Sequence, residues 1–107
     1  MKHRMKDTLA NRYAVLHMMG QIEDMGRTEM SSKEMAALMG VSLPTAISRL
    51  EQMARDEKIA KTTTQHRPNA KAYKWSLRCA TRRKYENGFY KTYFEMWKNE
   101  AFGEHKP

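Results

Sequence analysis

Apolar residues recur along this chain at two different rhythms, and the change from one to the other divides it into elements. From about Thr8 to Met25 no proline intervenes, and Leu9, Tyr13, Leu16 and Gly20 follow at spacings of three and four, as one face of a helix requires. Val15, Met19 and Ile22 add a second, adjacent row. So broad an apolar surface exceeds what packing on one small core needs, which predicts that part of this helix faces another subunit. Gly26 ends the segment.

Thr28-Glu29-Met30 is short and suits an edge strand. Ser31-Ser32-Lys33-Glu34 then has the S-x-x-E spacing of a capping box, in which Ser31 accepts from the amide three residues on while Glu34 reaches back, with Met30 stapled on Met35. A helix is predicted from there to Met39. It stops at Gly40, whose missing Cβ permits the left-handed backbone of a tight turn. Ser42 caps the next helix and Pro44 sits in its first turn, where an absent amide hydrogen costs little. Ala46, Leu50 and Met53 form its apolar row toward Asp56, with Ile47 and Ala54 on the flank.

After Ile59 the rhythm shortens. Thr62-Thr63-Thr64 is β-branched, Gln65 through Asn69 reads as a turn, and Ala72 through Leu77 mixes aromatic and polar residues, which together predict a β-hairpin of open register. Arg78 and Arg82-Arg83-Lys84 follow, with helix expected on both sides of Asn87-Gly88. Tyr85, Phe89, Tyr93, Met96 and Trp97 form one aromatic stripe up to Phe102, flanked by Tyr90 and Phe94, and residues 103–107 are expected to fray.

Composition narrows the picture. A chain of 107 residues has room for one core, so one domain with a tail is expected. Twenty Lys and Arg against 12 Asp and Glu give a formal charge of +8, a field that attracts polyanions. One cysteine, Cys79, permits neither an internal disulfide nor a zinc site on paired thiolates, and suits a cytoplasmic or nucleoid-associated location. The start, Met1 to Lys6, is basic but lacks the apolar run of a signal peptide or membrane span. The ten methionines read mainly as core. His3, His17, His66 and His105 are scattered, and neither a nucleophile with its base, a metal-ligand spacing nor a glycine-rich phosphate loop stands out, so no enzyme, cofactor or metal is expected.

The order helix, short strand, helix, tight turn, helix, hairpin, helix predicts a mainly α fold with a small β-hairpin: a winged helix-turn-helix with additional N- and C-terminal helices. The stretch from Glu34 to Leu50 resembles the helix-turn-helix of MarR- and GntR-type bacterial regulators: Ala36 where the helices touch, Gly40 in the turn, the run Gly40-Val41-Ser42-Leu43-Pro44-Thr45, and apolar Val41, Ala46 and Leu50. The resemblance covers about residues 28–77. Glu57-Lys58 stands where family members often carry a glycine.

The resemblance implies a recognition helix in the major groove, about 12 Å wide, with the residues opposite Leu50 reading double-stranded DNA. That face presents Ser42 as the cap, Pro44, Thr45, Ser48, Gln52 and Arg55, with Arg49 at its edge: Gln52 suits adenine, Arg49 guanine, and Thr45 a thymine methyl or a phosphate. Lys61, His66, Arg67 and Lys71 would form a basic wing, in a stretch with no acidic residue from Lys61 through Leu77. Tyr13, Val15, Met19, Ile22, Phe89, Tyr93, Phe94 and Trp97 are the candidates for contact with a partner, whether a second copy in a homodimer, a polymerase or another regulator. A transcriptional regulator is the leading expectation, with a protein-interaction module on the aromatic surface and a replication or partition protein as alternatives.

Overall fold

A computed structural model describes residues 4–63 and 73–102. It is mainly helical, with a small three-stranded antiparallel sheet, and belongs to the α+β class. Helix α1 spans Leu9–Asp24, with Thr8 as its N-cap accepting from the Asn11 amide at 3.1 Å. Strand β1 is only Met30–Ser31, so the expected edge strand starts two residues late, and α2 follows directly over Ser32–Met39. The capping box forms as its spacing requires: the Ser31 hydroxyl accepts from the Glu34 amide at 3.1 Å, and the Glu34 carboxylate accepts from the Ser31 amide at 2.8 Å.

Helix α3 spans Leu43–Arg55, β2 Ile59–Thr62, β3 Lys74–Leu77, α4 Cys79–Glu86 and α5 Lys91–Phe102. The sheet order is β1-β3-β2, with Met30 opposite Trp75 and Ile59 opposite Leu77. This register settles what the sequence left open, because it puts Met30, Ile59 and Trp75 on one face, and all three are buried. The Trp75 indole N–H donates to the Ser32 hydroxyl at 2.8 Å, so the sheet is tied to the first turn of α2 by a buried hydrogen bond.

The core joins Leu16 and Met19 of α1, Met35 and Met39 of α2, Leu50 and Met53 of α3, the sheet residues and Tyr90. Met5, Met18 and Met30 belong to it as well, so the methionines serve mostly as core filling, while Met25 and Met96 are exposed.

Two expectations about the helical surfaces are corrected. Val15 and Met19 are 1% and 0% exposed, so they cannot meet a partner. The breadth of the apolar surface on α1 is explained within the chain, because one side of it meets α2, α3 and the sheet while α4 and α5 cover another. The aromatic stripe is also turned. Helix stops at Glu86 and restarts at Lys91 through Gly88 at φ 83°, which resets the phase, so that Tyr90 is buried with Phe94 and Trp97 half-buried behind it. Phe94 stacks on His17 at 4.8 Å, while Phe89 and Met96 remain on the outside.

Candidate nucleic-acid interface

The turn between α2 and α3 fixes the geometry of the candidate site. Gly40 adopts φ 68° and ψ 32°, a left-handed conformation, and the amides of Gly40 and Val41 close the end of α2 on the carbonyls of Ala37 and Ala36. Ser42 then caps α3 by accepting from the Thr45 amide, and Pro44 lies in the first turn. Ala36, Ala46 and Leu50 are buried between the two helices and the core, with Val41 partly so. Consequently the opposite side of α3 is left to solvent: Ser42, Pro44, Ser48 and Arg55 are exposed, and Thr45 and Gln52 are half-buried.

Ser42, Thr45, Gln52 and Arg55 on this face are already engaged with neighbours. The Thr45 hydroxyl accepts from the Ser42 hydroxyl at 2.9 Å. The Gln52 amide donates to Asp56 at 3.2 Å, and its oxygen accepts from Arg55 at 3.0 Å. These are exposed contacts, each worth little net free energy because water replaces them, so Gln52 can exchange both for a base edge at small cost.

Arg49 is placed differently from its expected role as a guanine reader. Its guanidinium donates to the backbone carbonyl of Met5 at 2.6 Å and is half-buried. On a 3.6-residue turn Arg49 and Asp56 share one flank of α3, with Glu51 on the opposite flank. Arg12 reaches Asp56 at 3.6 Å and Asp7 at 2.8 Å, so the first flank is where the N-terminal segment and the start of α1 dock. The Arg12 guanidinium holds the Asp7 carboxyl below its ordinary range.

The other flank carries the sheet. Lys61 of β2 bonds both carboxylate oxygens of Glu51, at 3.0 and 3.1 Å, and lies 4.4 Å from the centre of the Tyr73 ring. This pins the base of the hairpin beside α3. His66, Arg67 and Lys71 fall outside the described residues.

Away from α3 a charge network joins α1 to α4. Arg82 bonds Glu23 at 3.1 Å, Asp24 at 2.5 Å and Glu86 at 3.0 Å, while the Tyr85 hydroxyl donates to Asp24 at 2.6 Å. Burial and that hydrogen bond push the Tyr85 hydroxyl up to about 12. Arg82 is therefore taken up structurally. Glu34 is similarly committed, held down to about 2 by its bidentate pairing with Arg27 and by the Ser31 amide.

The N-terminal segment contributes to this region although the helical periodicities do not reveal it. Its signal was the alternation Arg4-Met5-Lys6: Met5 is 3% exposed while both neighbours face solvent. Among the described residues no group of three or more His, Cys, Asp or Glu is arranged to hold a metal ion, and no helix is long and apolar enough to cross a membrane. Among known proteins, no family model matches the chain, and no curated protein and no solved structure is significantly similar to it.

Proposed function

We propose that the chain is a winged helix-turn-helix protein that binds double-stranded DNA and acts as a transcriptional regulator, by binding alone and without catalysis. The observation that carries this reading is the exposed face of α3, set by a left-handed Gly40 turn against α2 and braced on both flanks, in a chain of charge +8. An isolated solvated helix face needs no such bracing. A helix that must enter a groove in a fixed orientation does. The sheet order β1-β3-β2, with β2 following the end of α3, supports this reading, because a winged helix carries its wing hairpin beside the recognition helix. Ser48 and Gln52 are the proposed base readers, Thr45 and Ser42 contact phosphate or a thymine methyl, and Arg55 and the wing lysines contact backbone.

Selection of bound duplexes from a random pool tests this directly. Enrichment of one sequence class is expected, with Ser48→Ala and Gln52→Ala together removing the preference. If about six phosphates are neutralised, log affinity falls against log salt with a slope near −5. A pool that emerges without any preferred sequence would overturn sequence reading by α3.

The exposed apolar side chains Leu9, Phe89 and Met96 favour a protein contact in addition. In a homodimer they would bring two recognition helices about one DNA turn, roughly 34 Å, apart, and the selected site would be a two-fold repeat.

A further inference from the structure

We infer that the segment of residues 4–7 is a built DNA-contacting arm, in which Arg4 and Lys6 bind backbone phosphates beside the groove entered by α3, and that Arg49 is the residue that positions it. The inference rests on the proposed function and adds to it a second binding element on the flank of α3 opposite the wing.

The segment is held by its backbone. The Met5 amide donates to the Met39 carbonyl at 2.9 Å, and the Met5 carbonyl accepts from Arg49 at 2.6 Å. The Lys6 carbonyl accepts from the Asn11 side chain at 2.8 Å and from the Thr8 amide at 3.1 Å. Between these bonds the Met5 side chain is buried in the core, and Asp7 is paired with Arg12. With Met5 buried, its two neighbours Arg4 and Lys6 are left on the outside. Both are exposed. The Met5 and Lys6 carbonyls and the Asp7 carboxylate are engaged in anchoring the stretch, and its exposed cations are Arg4 and Lys6.

Position gives these cations their target. Arg49 and Asp56 mark the arm's flank of α3 and Glu51 with Lys61 marks the hairpin's, so the face carrying Thr45, Ser48 and Gln52 lies between two basic elements. Duplex phosphates run along both edges of a major groove, and a helix seated in it brings its two flanks to the two backbones. An arm and a wing on opposite flanks meet them both. Arg4 and Lys6 also line an open groove of about 300 Å³ shared with Trp97 and Glu100 of α5, so their side chains are not packed in place.

The test uses the full chain, a duplex of the sequence it selects, and the paired variant Arg4→Ala with Lys6→Ala, both exposed positions whose loss leaves the core untouched. Removing two phosphate contacts should make the salt slope shallower by about 2 and weaken binding about fifty-fold at 0.1 M salt, with the preferred sequence unchanged. Arg49→Ala should weaken binding to all duplexes alike, and in combination with the arm variant should add little further. Unchanged affinity and slope in the arm variant, with the parent still binding duplex, would overturn the arm and leave the reading of α3 standing. A parent chain that binds no duplex overturns both. Loss of preference at a single guanine in Arg49→Ala would show that Arg49 reads a base and would overturn its positioning role.

Discussion

Glu57 offers a measurable test of how these helices end. Four helices close with the same pair of backbone bonds. At the end of α3 the Glu57 amide donates to Ala54 and the Lys58 amide to Met53, both at 3.0 Å. The ends of α1, α2 and α4 repeat the pattern, with Gly26, Gly40 and Gly88 in the position Glu57 holds. This pattern demands a left-handed residue, and the four φ values are 98°, 68°, 83° and, for Glu57, 62°. An L side chain in that region costs about 1–2 kcal/mol, and glycine gives back about 0.5–1 kcal/mol through its greater freedom in the unfolded chain. Glu57→Gly is therefore expected to stabilise by about 0.5–1 kcal/mol, raising Tm by about 3–6 °C. Glu57→Ala keeps a Cβ and relieves nothing, so it should stay near the parent. Urea unfolding of the three proteins, followed by tryptophan fluorescence, compares them at constant m. If the glycine variant were no more stable than the alanine variant, no strain resides at this position and the account fails.

Four further outcomes follow from particular contacts. Ser32→Ala leaves the Trp75 indole N–H buried without an acceptor and should cost about 1–3 kcal/mol by denaturant unfolding, whereas Ser32→Thr, which keeps a hydroxyl, should lose less. Gly20→Ala would place its Cβ 2.4–2.6 Å from the Tyr85 ring, so it should destabilise by about 1–2 kcal/mol despite the better helix propensity of alanine; adding Tyr85→Ala should remove the clash and with it much of that penalty. His17 is buried with Nδ1 lacking a partner, and burial holds it below its ordinary 6.5, with Lys91 acting in the same direction and Glu95 and Asp24 against it. The folded state resists protonation that the unfolded chain accepts, so this group subtracts stability as pH falls through 6.5; His17→Leu should make thermal unfolding less sensitive to pH between 7 and 5. Glu51→Gln removes an anion from the flank of α3 and releases Lys61, and should tighten duplex binding several-fold in a fluorescence titration at 0.1 M salt.

What the sequence disclosed depended on whether the cause was local. The capping box at Ser31, the left-handed Gly40 and the cap at Ser42 are decided within four residues, and each forms where its spacing places it. The core row Ala46, Leu50 and Met53 is likewise a property of one helix and its period. Failures came where a distant partner decides. Val15 and Met19 look like surplus apolar surface on α1 alone, until the core residues of α2 and α3, such as Met39 and Met53, close over that side while α4 and α5 take the side of Tyr13 and His17. The aromatic stripe from Tyr85 to Trp97 is continuous in the sequence pattern, but the break at Gly88 turns the two helices independently and moves Phe89 outside and Tyr90 inside. A helical wheel also contains no information about the Met5 carbonyl, 44 positions away, to which Arg49 donates. Glu57 is the converse case, where a glycine was expected from resemblance and the backbone adopts the glycine conformation without one.

The placement of charge around α3 divides the proposed task in a way that can be measured separately. Pro44, Thr45, Ser48 and Gln52 on the exposed face are uncharged, while the cations lie at its end, Arg55, and on its flanks, Arg4, Lys6 and Lys61. A charged side chain held against a phosphate contributes affinity that salt removes, about 0.9 of a unit in slope per contact, and carries no information about sequence. A neutral side chain against a base edge contributes about 1–3 kcal/mol of discrimination for a good bidentate pair and almost nothing to the slope. Substitutions on the face should therefore flatten preference at constant slope, and substitutions on the flanks should flatten the slope at constant preference. The flank cations are separated from the face by about a quarter turn of helix, so a variant in one leaves the other in place, whereas Arg55 donates to Gln52 and is coupled to the face. Any flank substitution that altered which base is preferred would mean that the arm or wing reaches into a groove, and the division of labour drawn from this geometry would have to be abandoned.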